Sequence, residues 1–381
     1  MDRRTFLKIG CLASLGWSPA PFQPNRKLIL VWLGGGHSNL ETFDPKPNAP
    51  EQVRGQYGVV QTTIPGIHLS DRFPRLASLT HRIAIFRTVQ AKNGDHYGAS
   101  YEILNNNLGK TMAERVGKSA TIPYAICEVH PPYSYMEQAH RGDWIRINRE
   151  GGRYVAPSLS NNTINTSPIQ QFDPEGVPSE NTMRRKLLAS IESWPYGNGV
   201  YDCQREAAME LLLGGGKLKA CFDLPGCDVE RFGSSCTAEA IVLAQRLTRA
   251  GVGAVTVVCE QQGGWDAHVD AFSRYRGITR DLDFAIAALV QQLDSDTVCL
   301  VTSEFGRTPK INGGCGRDHW PTANTALLFG GGIVPGVVVG RTDQMLHPRD
   351  RPVPSPWLCN TVLAACGHSV AANEMVSEVL T

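Results

Sequence analysis

Apolar residues fall along the chain in short runs separated by stretches of helical spacing. KLILVWLGGG, Lys27 to Gly36, is an apolar run stopped by three glycines, which predicts a central parallel strand entering a tight loop. RFPRLASL predicts a helix and RIAIFRTV, Arg82 to Val89, a second strand; QAKNGDHYGASYEILNN then carries turn residues before helical spacing from about Asp95. Helical patterns return in MRRKLLASIE, QREAAMELLL and CTAEAIVLAQRLTRAG, the last ending on Gly251 as a C-cap would. GAVTVVCEQ, a long helix from about Phe272 to Leu293, TVCLVTSE and NTALLFGGG follow, and PWLCNTVLAACG and NEMVSEVL predict two closing helices. Short β-branched runs alternating with amphipathic helices argue an α/β protein whose mostly parallel sheet is covered on both faces.

The 381-residue length changes this picture only in scale: it suits one large domain over residues 26–381. Residues 131–182, rich in Pro, Gly, Ser and Asn with weak periodicity, read as an insertion or cap. The balance of 37 basic and 36 acidic residues gives a net charge of +1, so no global field draws the protein to nucleic acid or an anionic membrane. MDRRTFLKIGCLASLGWSPA joins an arginine pair to a weakly apolar run and a small-residue site, which predicts a twin-arginine signal over residues 1–20 and export to the periplasm or cell surface. No other run reaches the roughly 20 apolar residues that span a bilayer. Of eleven cysteines, Cys203, Cys221, Cys227 and Cys236 lie close enough in sequence for one or two disulfides, whereas Cys259 and Cys299 sit in strand runs as core residues.

Three loops follow apolar strands, and in a doubly wound sheet such loops converge on one crevice. The first, GGGHSNLETFDPKP, holds His37, Ser38, Glu41 and Asp44; the second, EQQGGWDAHVDAF, holds Asp266 and His268; the third, EFGRTPKINGGCGRDHWP, holds Glu304, Arg307, Arg317, Asp318 and His319. Asp266, His268, Glu304, Asp318 and His319 together give the carboxylate and imidazole mixture that zinc and manganese prefer, with calcium as a third option. Arg307 and Arg317 are candidates to clamp an anionic substrate through a bidentate fork. The alternative is structural: Asp318 caps a turn, His319 and Trp320 pack at the sheet edge, and Arg307 pairs with Glu304. Ser38 follows a pattern like a nucleophile elbow only to its third residue, because Leu40 stands where the last glycine belongs.

The blocks GGGHSNLETFDPKP, GDHYGASYEILNN, GGWDAH, SEFGRTPKIN, GRDHWP and LLFGGGIVPGVVVGRTD resemble, in order, those of the bacterial domain of unknown function 1501 family, placed in the alkaline-phosphatase and sulfatase-like superfamily. The resemblance implies a three-layer α/β/α sandwich with a metal-binding crevice at the strand ends. It implies an exported metal-dependent hydrolase of phosphate or sulfate esters, acting on a small anionic ester or a sulfated or phosphorylated glycan. By block order Asp266 and His268 would hold one metal, with Glu304 and His319 closing the site and Asp318 as ligand or support to His319. The chain departs from the superfamily where its first strand ends in Gly34-Gly35-Gly36 rather than a metal-binding aspartate, leaving Glu41 or Asp44 to compensate. It departs again where a nucleophile is expected, with Asn93-Gly94-Asp95-His96 at the start of the helix, so that Ser38 and His96 are the remaining catalytic candidates. Attack by a metal-activated water, or a non-catalytic binding protein with a degenerate site, are the two readings this leaves.

Overall fold

The apolar runs lie side by side in one ten-stranded sheet in the computed structural model, which describes residues 26–105, 112–117, 122–129, 144–147, 149–150, 153–154, 164–165, 220–259 and 264–381. Its strands are β1 (Lys27–Trp32), β2 (Ala84–Gln90), β3 (Ile122–Glu128), β4 (Trp144–Ile147), β5 (Ile164–Asn165), β6 (Val252–Val258), β7 (Thr297–Thr302), β8 (Asn324–Gly330), β9 (Val338–Val339) and β10 (Val353–Pro354). The order is β9-β2-β8-β7-β1-β6-β3-β4-β5, with β10 also paired to β2. β7, β1, β6, β3 and β4 run parallel, whereas β8 runs antiparallel to both neighbours, β7 and β2. The start of β8 therefore lies at the edge where β1, β2, β6 and β7 finish. Within the region expected to be an insertion or cap, β4 and β5 extend the sheet beside β3.

Side-chain alternation sorts the core into two layers. Ile29, Val31, Val255, Val257, Cys299 and Val301 face one layer, formed with α3 (Cys236–Arg249) and α4 (Ala271–Gln292). Leu28, Leu30, Trp32, Ala254, Val298 and Leu300 face the other, formed with α1 (His96–Asn105), α2 (Met112–Gly117) and α5 (Ser355–Ala365). Each such aliphatic side chain, buried, stabilises the fold by roughly 1.5–3 kcal/mol, which is why both faces of the central strands are apolar. α3 starts where Ser235 Oγ accepts from the Ala238 N–H at 3.1 Å, and just past its end Gly251 takes a left-handed φ of 108° that only glycine adopts without cost.

Several expectations change. RFPRLASL gives only a helical turn at Pro74–Ala77, opened by its proline, and a 3₁₀ turn at Thr80–Arg82. NEMVSEVL forms 3₁₀ turns at Ala372–Glu374 and Ser377–Val379, because Leu380 is drawn into a bridge with Ile333 and the Thr381 N–H bonds Gly332 O at 3.1 Å. Cys227 and Cys236 are free thiols, Cys227 being exposed, and Cys221 is buried with its Sγ 3.5 Å from Arg246 O. Cys203, the signal segment and the two helices predicted near residues 183–213 lie outside the described residues. Among the described residues no helix is long and apolar enough to cross a membrane.

Candidate functional site

Four strand ends deliver the polar groups to one place. Beyond β2 the chain turns through Gly94 and begins α1 with His96; beyond β6 come Asp266 and His268; the segment from β7 to β8 leaves and returns at the same edge with Glu304, Arg307, Arg317, Asp318 and His319. Two of the glycines after β1 explain how these loops come so close. A Cβ on Gly35 would stand 2.6 Å from Asp266 N, and one on Gly36 would stand 2.6 Å from the Phe305 ring. Both have left-handed φ, 105° and 82°. Phe305 in turn packs on the rings of His96 and His319, at centroid distances of 5.1 and 4.5 Å.

Asp266 is the centre of the cluster. Its carboxylate lies 3.6 Å from His96 Nε2, 3.7 Å from His319 Nε2 and 3.1 Å from His268 Nε2. Each imidazole is held through its other nitrogen by an acceptor that has no proton to give. His96 Nδ1 donates to Glu304 Oε1 at 2.7 Å, His319 Nδ1 to Gly94 O at 2.7 Å, and His268 Nδ1 to Asp318 Oδ1 at 2.9 Å. These partners hold a proton on Nδ1 of each ring and turn Nε2 toward the Asp266 carboxylate, where it carries a lone pair when the ring is neutral and an N–H when it is protonated. His268 Nε2 stands 3.1 Å from His319 Nε2 and 3.3 Å from Arg307 Nη1, so the Arg307 guanidinium also borders the cluster.

The titration behaviour follows. Burial opposes a proton on His96, but its hydrogen bonds to Asp266 and Glu304 outweigh it and push the pKa up to about 9. Burial would raise the Asp266 pKa, yet His319, His96 and Arg307 hold it far below the carboxylate range. The Asp318 carboxyl is lowered by its hydrogen bond from His268. His96, Asp266 and His319 place ligand atoms within 4.8 Å of one another, and one carboxylate with two oriented imidazoles suits a divalent cation such as zinc.

The remaining expected residues sit one layer back. Glu304 and Asp318 meet the cluster through His96 and His268, and Glu304 also accepts from the Gly35 N–H at 2.8 Å. Arg307 is wholly buried; it donates to Gly35 O, to Gly36 O at 2.8 Å, to Arg317 O at 3.1 Å and to Asp266 Oδ1 at 2.5 Å, so it pairs with Asp266 and not with Glu304. Arg317, equally buried, forks onto Glu41 at 2.6 and 3.0 Å and bonds Val53 O at 2.7 Å. Glu41 is thereby committed to Arg317, and Asp44 to Lys46 at 2.8 Å and Arg87 at 3.4 Å, so neither replaces the aspartate expected after the first strand. Ser38 is fully buried and, among the described residues, its Oγ has no hydrogen-bond partner. His37 is sealed between Ser303 Oγ and Thr325 Oγ1, each at 2.7 Å.

Asn312 was invisible as a site residue in the sequence, where only the turn composition of INGGCG marked its neighbourhood. Its amide donates to His268 O at 3.0 Å and Asp318 Oδ1 at 3.1 Å, and its carbonyl accepts from the N–H groups of Gly314 and Gly316 at 3.0 Å, tying the third loop to the second.

A family model described as Protein of unknown function (DUF1501) matches residues 25–192 and 199–374. No curated protein matches the chain. Among solved structures the chain is similar to a magnesium-bound mutant of TAB5 alkaline phosphatase, at 11% identity and a TM-score of 0.43, over 92% of this chain and 100% of that one. It is similar to the lipoteichoic acid synthase LtaP from Listeria monocytogenes, at 10% identity and a TM-score of 0.38, over 92% and 74%. It is also similar to an alkaline phosphatase superfamily protein from Vibrio parahaemolyticus, at 10% identity and a TM-score of 0.38, over 98% and 80%.

Proposed function

The chain belongs to the family described as Protein of unknown function (DUF1501), and from that premise we propose that it is an exported, divalent-metal-dependent hydrolase of phosphate or sulfate esters. The observation that carries this reading is the convergence on Asp266 of three imidazoles held through Nδ1, with His96, Asp266 and His319 as the metal-holding set. The ester class rests on the resemblance of the sequence blocks to the alkaline-phosphatase and sulfatase-like superfamily, and export on the Arg3-Arg4 start. A bound divalent cation supplies Lewis-acid polarisation of the ester and lowers the pKa of water.

The chain's own groups supply the rest. Glu304 and Gly94 O hold the rings of His96 and His319, and Arg307 holds Asp266, a positioning role that leaves its guanidinium committed. His268, at 43% exposure the most open of the three histidines, is oriented by Asp318, and its Nε2 lies within the cluster beside Asp266 and His319. It takes the proton from the attacking water as the new bond to phosphorus or sulfur forms, and the departing alcohol oxygen is then protonated from it.

Metal analysis and turnover of aryl phosphate and aryl sulfate test this together. His319→Ala is expected to lose the metal, and His268→Gln to retain it while kcat falls about 10²- to 10⁴-fold. Protein that carries no divalent metal and hydrolyses neither ester after zinc, manganese or calcium is restored would sink the reading. The alternative of a non-catalytic binding protein is favoured by two observations, the sealed Ser38 and the imidazole standing at the head of α1 where a hydroxyl nucleophile is expected. Metal-loaded protein inert on both esters selects it.

A further inference from the structure

A cleft of about 740 Å³ opens beside the first turns of α4, and three arginines line it: Arg72, Arg276 and Arg280, with Tyr57 and Ser273. Arg72 is immobilised by neutral groups only, donating to Arg276 O at 2.9 Å and Thr279 Oγ1 at 3.4 Å and lying over the Tyr57 ring at 5.4 Å. Its orientation is thus set while its charge stays uncompensated by these contacts. Arg276 is exposed and, among the described residues, has no ion-pair partner. Arg280 shares one oxygen of Asp281 at 3.0 and 3.1 Å, in an open pair of little strength. Of the other carboxylates nearby, Asp71 is engaged by the Gly58 N–H at 2.9 Å, and Asp283, which Arg72 and Arg75 both influence, by the Arg75 and Leu76 N–H groups at 3.2 and 2.9 Å. Like charges gathered around one concavity repel one another until an anion enters, and guanidinium forks match the oxygens of phosphate or sulfate.

We propose that this cleft is a second oxyanion site, taking a sulfate or phosphate group. α4 begins three residues after His268, and Arg276 stands roughly 8 Å along it at 1.5 Å per residue. A multiply charged ligand of a few sugar units can therefore reach from the cleft toward the metal cluster. That the two anionic groups belong to one substrate rests on the hydrolase reading; the cleft itself stands without it.

Calorimetric titration of the full chain with sodium sulfate and with sodium phosphate, in the presence of chelator, tests the site. Saturable binding of either anion, weakened about tenfold in Arg276→Gln and in Arg280→Gln and unchanged in the control Arg349→Gln, is the expected result. Arg276→Gln should also melt no lower than the wild type in anion-free buffer and lose the rise in Tm that the anion gives the wild type. No saturable binding, or binding that Arg276→Gln leaves intact, overturns the proposal. Binding seen only with divalent metal restored, and lost in His319→Ala, also overturns it while leaving the hydrolase reading standing. With the site established, a sulfated tetrasaccharide that binds metal-loaded protein more tightly than inorganic sulfate identifies an extended substrate, and equal affinities identify a free inorganic anion.

Discussion

Gly35 shows how a residue without a side chain can define a metal site. Its N–H bonds Glu304, its carbonyl accepts from Arg307, and its missing Cβ leaves room for the backbone of Asp266. Gly35→Ala combines a left-handed φ with a clash, and is expected to destabilise the protein by roughly 1–3 kcal/mol and to weaken metal binding, measured by urea unfolding and metal titration. His37 acts through the opposite property, its ionisation. Burial, helped by Arg307, drives its pKa down from 6.5 to about 3. Ser303 Oγ donates to Phe305 O, so it accepts from His37 Nδ1–H, while Nε2 accepts from Thr325, leaving no place for a second proton. Between those two pKa values the unfolded chain binds the extra proton, so stability falls with falling pH by up to about 1.4 kcal/mol per unit. His37→Gln keeps a donor and an acceptor but does not titrate; its unfolding free energy should close on that of the wild type from pH 6 to pH 4, and parallel curves would contradict this. Asp266, His268 and His319 were legible as a group because residue type and loop position agree. The depth of Glu304 and Asp318 was not, since a carboxylate behind an imidazole and one beside it are the same letter.

At the scale of elements, the segment between β7 and β8 carries most of the site. It is anchored inside by the Glu41–Arg317 pair, both partners essentially unexposed. Glu41→Gln leaves a buried guanidinium short of its counter-charge and should cost about 3–5 kcal/mol in chemical denaturation; a loss within experimental error would mean that the backbone carbonyls around Arg317 suffice. The strands and the long helices were readable from the sequence nearly to their ends: α4 spans Ala271–Gln292 against an expected start near Phe272. The reversed direction of β8 was not readable, because a strand buried on both faces has the same composition in either direction. That reversal is what returns His319 to the crevice. Arg307 and Arg317 likewise looked available in sequence because nothing local reveals that their acceptors are glycine carbonyls and a glutamate some 270 positions away.

For the whole molecule, the alternation of β-branched runs with amphipathic helices was enough to give a sheet covered on both faces, whereas the connection between layers at the site depends on contacts that only the fold creates. A metal held by His96, Asp266 and His319 cross-links segments that follow three different strands. Chelation is therefore expected to lower Tm, with a loss of about 2.7 kcal/mol relative to protein in metal at a hundredfold above Kd; scanning calorimetry with and without chelator reads it, and His319→Ala should show no chelator effect. The same wiring has a consequence in time. His96 meets Glu304 across 208 positions and Gly94 meets His319 across 225. During synthesis no ribosome-bound fragment that stops before residue 319 contains His319, so the complete coordination set first exists only after β1, β2, β6 and β7 have all been made.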